Sequence, residues 1–294
     1  MLRSNSVVLA AAIAVLGYGL AVHPSFAGEF QDGVYSVNTV GFVQIDKPGN
    51  NKLNMVGVSL VSSNQTLNSL AHPKQFSGDA YSTAKADRLH VWNAATQQYD
   101  DYALFDARDV NGMDYSDDFP TGWQRVTNFG AEGTYENPQV PVGSAFWLRG
   151  STSSDQTIVL AGDIVTSPSV TNSMVEGLQM ISNPFADSVK LNDGLALHEN
   201  ATGDAFSTAK ADRLHVWNAA TQKYDDYALF DARDVNGEDL SDEYPTGWQP
   251  VTHFGAKGTY TDAEIRMGQG FWLRVANVGF DWIETNRYLD AISP

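Results

Sequence analysis

The sequence predicts an all-β protein made of two tandem, duplicated sandwich- or barrel-like domains, on three observations. First, the stretch Gly78–Gly112 recurs as Gly203–Gly237, 125 positions on, and only two of its 35 positions differ: Tyr81 against Phe206 and Gln98 against Lys223. The offset holds without insertion from Leu53 to Arg149, placing Trp123 on Trp248 and Phe146–Arg149 on Phe271–Arg274. Such a period is that of a whole domain, too long for a solenoid repeat. Second, each copy consists of short runs rich in β-branched and aromatic residues, separated by Gly, Asn and Pro clusters, with almost no helical periodicity. Third, cysteine is absent, so each domain must hold together on its apolar core.

Residues 1–27 read as a secretory signal peptide. Arg3 supplies the positive start, Val7–Leu20 the apolar stretch, and Ser25-Phe26-Ala27 the small residues before a cut after Ala27. The apolar run falls short of the ~20 residues of a membrane span, and no second such run follows. The expected location is secreted, extracellular or at the cell surface, with the periplasm as alternative. Domain boundaries follow: 1–27 leader, 28–152 first copy, 153–294 second copy with a short C-terminal tail. The divide is placed in the small, polar segment 150–155. The formal charge of −17 becomes −18 when Arg3 leaves with the leader. Nucleic acid is a poor partner for such a surface. Cations or neutral glycans fit better.

Along the chain, Val34–Ile45 is β-rich, with Gly41 expected as a bulge or kink. Lys47–Asn51 is a turn and Leu53–Val61 a second strand. Asn64–Ala71 can hold a short helix capped by Asn64 or Thr66. Arg88–Asn93 and Gln98–Phe105 form a hairpin across Ala94–Gln97. Both faces of this hairpin carry apolar groups, which predicts cover on both sides. After the acidic segment Asp106–Asp118 come strands at Gly122–Thr127, Ala145–Arg149 and Thr157–Val165. The second copy repeats the order and ends on Phe280–Thr285.

The phrases Val34–Val43, Val91–Asp100 and Gly143–Arg149 resemble a group of exported β-rich proteins of Verrucomicrobia and related bacteria. The similar pieces touch most of each repeat. The resemblance implies an exported location and a β architecture, and it carries over no functional residues.

The acidic loops are the strongest chemical signal. Copy one offers Asp106, Asp109, Asn111, Asp114, Asp117 and Asp118 around Gly112. Copy two offers Asp231, Asp234, Asn236, Glu238, Asp239, Asp242 and Glu243 around Gly237. Calcium takes six to eight oxygens from a tight loop that glycine allows to turn, so these residues are candidate Ca2+ ligands. The spacing is not that of an EF-hand, and a solvated loop around an Asn-Gly turn is the competing reading. Rings flanked by polar groups are the second signal. Trp123, Trp147 and Arg149, with Trp248, Trp272 and Arg274, are candidates to stack and hydrogen-bond a sugar at an exposed rim. The competing reading places most of these tryptophans in the core. His90 and His215 read as structural. The pairs Asp100-Asp101 and Asp117-Asp118 point to opposite strand faces, and no nucleophile elbow, phosphate loop or zinc-protease motif is present.

The expected function is therefore a secreted, non-catalytic structural or adhesive component of the envelope or exterior, calcium-stabilised, binding a glycan or envelope partner or assembling with itself. The alternatives are a carbohydrate-binding protein and a secreted polysaccharide-degrading enzyme.

Overall fold

The computed structural model describes residues 40–287 except Gly133 and Asp262. The leader, the start of the first predicted strand and the C-terminal tail lie outside the described residues. Alternating side chains make β1 (Val40–Lys47), whose inward residues include Val43 and Ile45. β2 (Leu53–Gly57) and β3 (Leu60–Val61) follow, then the one-turn helix α1 (Leu67–Leu70), with Thr66 as its N-cap. β4 (Arg88–Asn93) and β5 (Gln98–Phe105) form the predicted hairpin, and β6 (Gly122–Arg125), β7 (Ala145–Arg149) and β8 (Gln156–Ile164) complete the first copy's strands.

The second copy contributes β9 (Ser169–Met174), β10 (Gly177–Ser182), β11 (Val189–Lys190), β12 (Arg213–Asn218) and β13 (Lys223–Phe230). It continues with β14 (Gly247–Pro250), β15 (Glu264–Ile265), β16 (Gly270–Val275) and β17 (Phe280–Thr285). All paired strands are antiparallel.

Each copy has a five-stranded sheet in the same order, β2-β7-β4-β5-β6 and β10-β16-β12-β13-β14. One face of the first packs on the sheet β1-β8-β3, enclosing Val43, Ile45, Leu60, Leu89, Leu104, Trp123, Phe146, Leu148 and Leu160. The second packs on β9-β17 and β11-β15 around Leu195, Leu214, Leu229, Trp248, Phe271 and Trp282. This is sheet-on-sheet packing, with a core for each copy.

Two sequence expectations change. The strand after residue 152 belongs to the first copy, because β8 pairs with β1 over its whole length and with β3 at its end. The two pairing systems part between Ile164 and Ser169 rather than at 150–155. The small polar segment there is a turn within copy one, tied down by Ser151 N–H donating to Asp87 and Gly49 N–H donating to Asp155. Gly41 makes no bulge: its register with Gly162 is regular. A Cβ at Gly41 would fall 2.9 Å from Leu60 Cδ2, so the glycine lets Leu60 approach β1.

The second face of each five-stranded sheet meets the other copy. Met55, Ala145, Trp147, Met180 and Trp272 are buried between them, flanked by Leu53, Trp92, Leu178 and Trp217. The contacts come in reciprocal pairs. Trp92 meets Trp272 edge to face at 5.0 Å, and Trp147 meets Trp217 in the same way at 5.0 Å. Trp92 Nε1 donates to Leu178 O and Trp217 Nε1 to Leu53 O. Val56 bridges to Gln269, and Ser144 bridges to Ile181. Shifting each residue by the repeat offset turns one contact of each pair into the other. The copies are thus related by an approximate two-fold axis.

Candidate functional site

Where β5 ends, the chain enters the acidic segment, and its course is set by apolar anchors. Phe105, Ala107 and Val110 are buried beneath it, with Tyr115, Phe119, Phe129 and Tyr135 packed around them. At the tip Asn111 and Gly112 both have positive φ, 56° and 80°, and Val110 and Met113 exchange backbone hydrogen bonds on either side. This is the two-residue hairpin turn that an Asn-Gly pair favours.

Asp106, Asp109 and Asp114 bond to nearby groups of the chain. Asp106 holds Arg108 through two oxygens, with an N–O distance of 2.5 Å, and accepts from Thr121. Asp109 accepts from Gly112 N–H and Asp114 from Ser116 N–H. Asn111, Asp117 and Asp118 are exposed. Copy two repeats this: Asp231 with Arg233, Asp234 with Gly237 N–H, Asp239 with Ser241 N–H. Asn236 and Asp242 are exposed, and Glu243 accepts from Lys257. Among the described residues no group of three or more carboxylates or histidines converges as a metal site. The predicted Ca2+ ligands are close in sequence but are not gathered around a common point. The hydrogen bond to Arg108 is the main cause that holds the Asp106 carboxyl below its usual range. At Asp231 burial pushes the other way, and Arg233 outweighs it.

The predicted sugar-stacking tryptophans are not at a rim. Trp123 and Trp147 are 1 % and 5 % exposed. Trp123 stands against Phe76 in the first core, and Trp248 is buried in the second. Trp147 and Trp272 lie between the copies, their indole N–H groups donating to Tyr99 and Tyr224. Arg149 donates to the carbonyl of Thr83, and Arg274 to that of Ala209. Burial lowers the pKa of the Arg149 guanidinium. Both arginines hold the loop before the central hairpin against the sheet. Asp100 pairs with Arg125, while Asp101 pairs with His90. The two adjacent acids therefore have separate partners.

The exposed aromatic groups lie elsewhere. Tyr81 is 74 % exposed and its counterpart Phe206 75 %. Asp79 Oδ1 accepts from the N–H groups of Tyr81 and Ser82 at 2.8 and 2.7 Å, turning the chain at this point. Asp204 does the same for Phe206 and Ser207. A Cβ on Gly78 would collide with Asp106 Cβ, so glycine brings this turn against the acidic segment. Together Gly78, Asp79, Ala80, Tyr81, Asp106, Arg108 and Asp109 line an open recess of about 360 Å3. Sequence reading did not single out Tyr81. The available signal was that Tyr81/Phe206 is one of only two differences in the repeated block, and both residues are aromatic.

No protein-family model, curated protein or solved structure matches the chain. No helix among the described residues is long and apolar enough to cross a membrane.

Proposed function

We propose that this chain is a secreted, non-catalytic structural or adhesive protein of the cell envelope or exterior that presents two equivalent surfaces. The observation that supports this is the reciprocal packing of the two copies. It consumes the tryptophan-bearing sheet faces and leaves each copy with a projecting aromatic turn beside an acidic, apolar-anchored loop. Two like surfaces on one chain favour repeated partners, since the second contact forms at high effective concentration. Calcium is not needed for the loops in this reading, because Val110, Phe119 and their neighbours anchor them.

A second reading, carbohydrate binding, is favoured by Tyr81 and Phe206. An exposed ring beside carboxylates and an arginine suits stacking and hydrogen bonding to a sugar. The test is co-sedimentation of the chain from Gly28 onward with insoluble polysaccharides and with envelope fractions. The first reading expects retention by envelope fractions or self-assembly, unchanged by glycan competitors. Saturable glycan binding that the pair Tyr81→Ala/Phe206→Ala abolishes selects the second. Release of reducing sugar would overturn both in favour of hydrolysis.

A further inference from the structure

Two pairs of equivalent residues meet each other at the approximate two-fold axis, and in each pair one member is glycine. Gly57 faces Ser182, and Ala145 faces Gly270. A Cβ built on Gly57 would lie 2.5 Å from Ser182 Cβ, and one built on Gly270 would lie 2.5 Å from Ala145 Cβ. Neither approach is possible between real atoms, so each place on the axis has room for one side chain, not two; at Gly57 the Gln269 carbonyl oxygen, 2.7 Å from that Cβ, closes the place as well. Copy one supplies it at Ala145 and copy two at Ser182. The Ser182 hydroxyl is also used, accepting from Val58 N–H at 3.1 Å and donating to Ser144 O at 2.9 Å.

We propose that this face is a polarised interaction surface whose fitting partner is the face of the opposite copy, and that it rejects its own kind. Copy one against copy one would set Ala145 against Ala145. Copy two against copy two would set Ser182 against Ser182. Only the mixed pairing satisfies both positions. Much of the rest of the surface is the same in both copies, since Trp92, Trp147, Leu53 and Gln97 recur as Trp217, Trp272, Leu178 and Gln222, while Val56 and Ser144 stand where copy two has Ile181 and Gln269. The steric exclusion of like pairing lies in these two small contacts, as a repulsive element set on a largely self-complementary surface. Two chains that join through this face must exchange halves, copy one to copy two. Symmetric pairing of like halves is excluded. The inference does not depend on what the protein binds.

The full chain can carry the test, because one substitution builds a like pair inside it. Gly270→Ala recreates the Ala–Ala contact of copy one with itself, and Ala145→Gly removes it. The readouts are the melting temperature and the tryptophan emission, which reports water reaching Trp92, Trp147, Trp217 and Trp272. Gly270→Ala is expected to melt several degrees lower with red-shifted emission. Ala145→Gly alone should lower the melt slightly. The double variant Ala145→Gly/Gly270→Ala restores one side chain on the axis and should recover most of the loss, because the approaches that remain, Met55 Cγ at 2.9 Å and Val56 O at 3.3 Å, are wider than the 2.5 Å one that Ala145→Gly removes. Two results overturn the proposal: Gly270→Ala behaving like the natural chain, or the double variant melting no higher than Gly270→Ala.

Discussion

Lys47 and Asp87 form a fully buried ion pair at 2.5 Å in the first copy, and the second copy keeps the carboxylate without the lysine. Lys47 stands opposite Gln156 at the end of β1, and the strand that pairs with β17 ends on Met174 opposite Phe280, an apolar residue at that strand end. Asp87 accepts from Lys47, from Ser77 N–H and from Ser151. Among the described residues Asp212 accepts from the backbone donors Thr202 and Ala276 N–H. Removing one partner of a buried pair leaves a charge that water cannot reach. Lys47→Met should therefore cost about 3 kcal/mol, towards the low end for a broken buried pair because the amide donors remain. Urea unfolding measures it, and a loss within the scatter of surface substitutions would contradict it.

Asp212 makes stability depend on pH in the direction opposite to ordinary carboxylates. Burial raises its pKa, against the lowering by Ala276 and Thr202 N–H and by Arg274. The folded protein then holds the proton more tightly than the unfolded chain. The penalty is absent below the unfolded pKa of about 4 and grows as pH rises through the raised folded value. Glu284, also raised chiefly by burial, adds to the same slope. Asp212→Asn should remove a contribution that falls as pH rises above about 4, so the variant's melting temperature gains more, or loses less, with rising pH than that of the natural chain, whatever the absolute value. An unchanged slope would count against the assignment.

The acidic loops should answer to their apolar anchors rather than to metal. Phe119→Ala is expected to loosen the segment after β5, read as faster amide exchange from Asp106 to Thr121. Chelator should leave both the melt and the exchange of the natural chain unchanged. A lower melting temperature on chelation, restored by calcium, would return the carboxylates to the role their spacing suggests.

Tyr81 and Trp147 should separate surface from interior. Trp147→Ala removes a buried ring between the copies and should cost about 3–5 kcal/mol. Tyr81→Ala should change stability by no more than about 0.5 kcal/mol. Chemical denaturation of the two variants makes the comparison. A large loss at Tyr81 would show that its ring packs more than its exposure allows.

Much of the strand pattern was legible because it is local. The hairpin Arg88–Phe105 and the closing strand Phe280–Thr285 follow from alternation and turn residues within a few positions of one another. The duplication is also written in the chain, and with it the equivalence of the two sheets. Alternation put His90 and Trp92 on one side of the strand and Leu89 and Val91 on the other. It could not say what covers the second side.

Only tertiary structure decided that. The second side of each central sheet is covered by the other copy, which buries Trp147 where a rim was expected. The pairing of β8 with β1 assigns that strand to the first copy, a partnership across more than a hundred residues that local pattern does not encode. The carboxylates around Gly112 were likewise legible as acids. That Asp106, Asp109 and Asp114 bond to an arginine and to the nearest amides depends on how the chain turns in space over the apolar side chains beneath the loop. Sequence determines which groups are available and how they alternate along a strand. The folded structure determines what each of them faces.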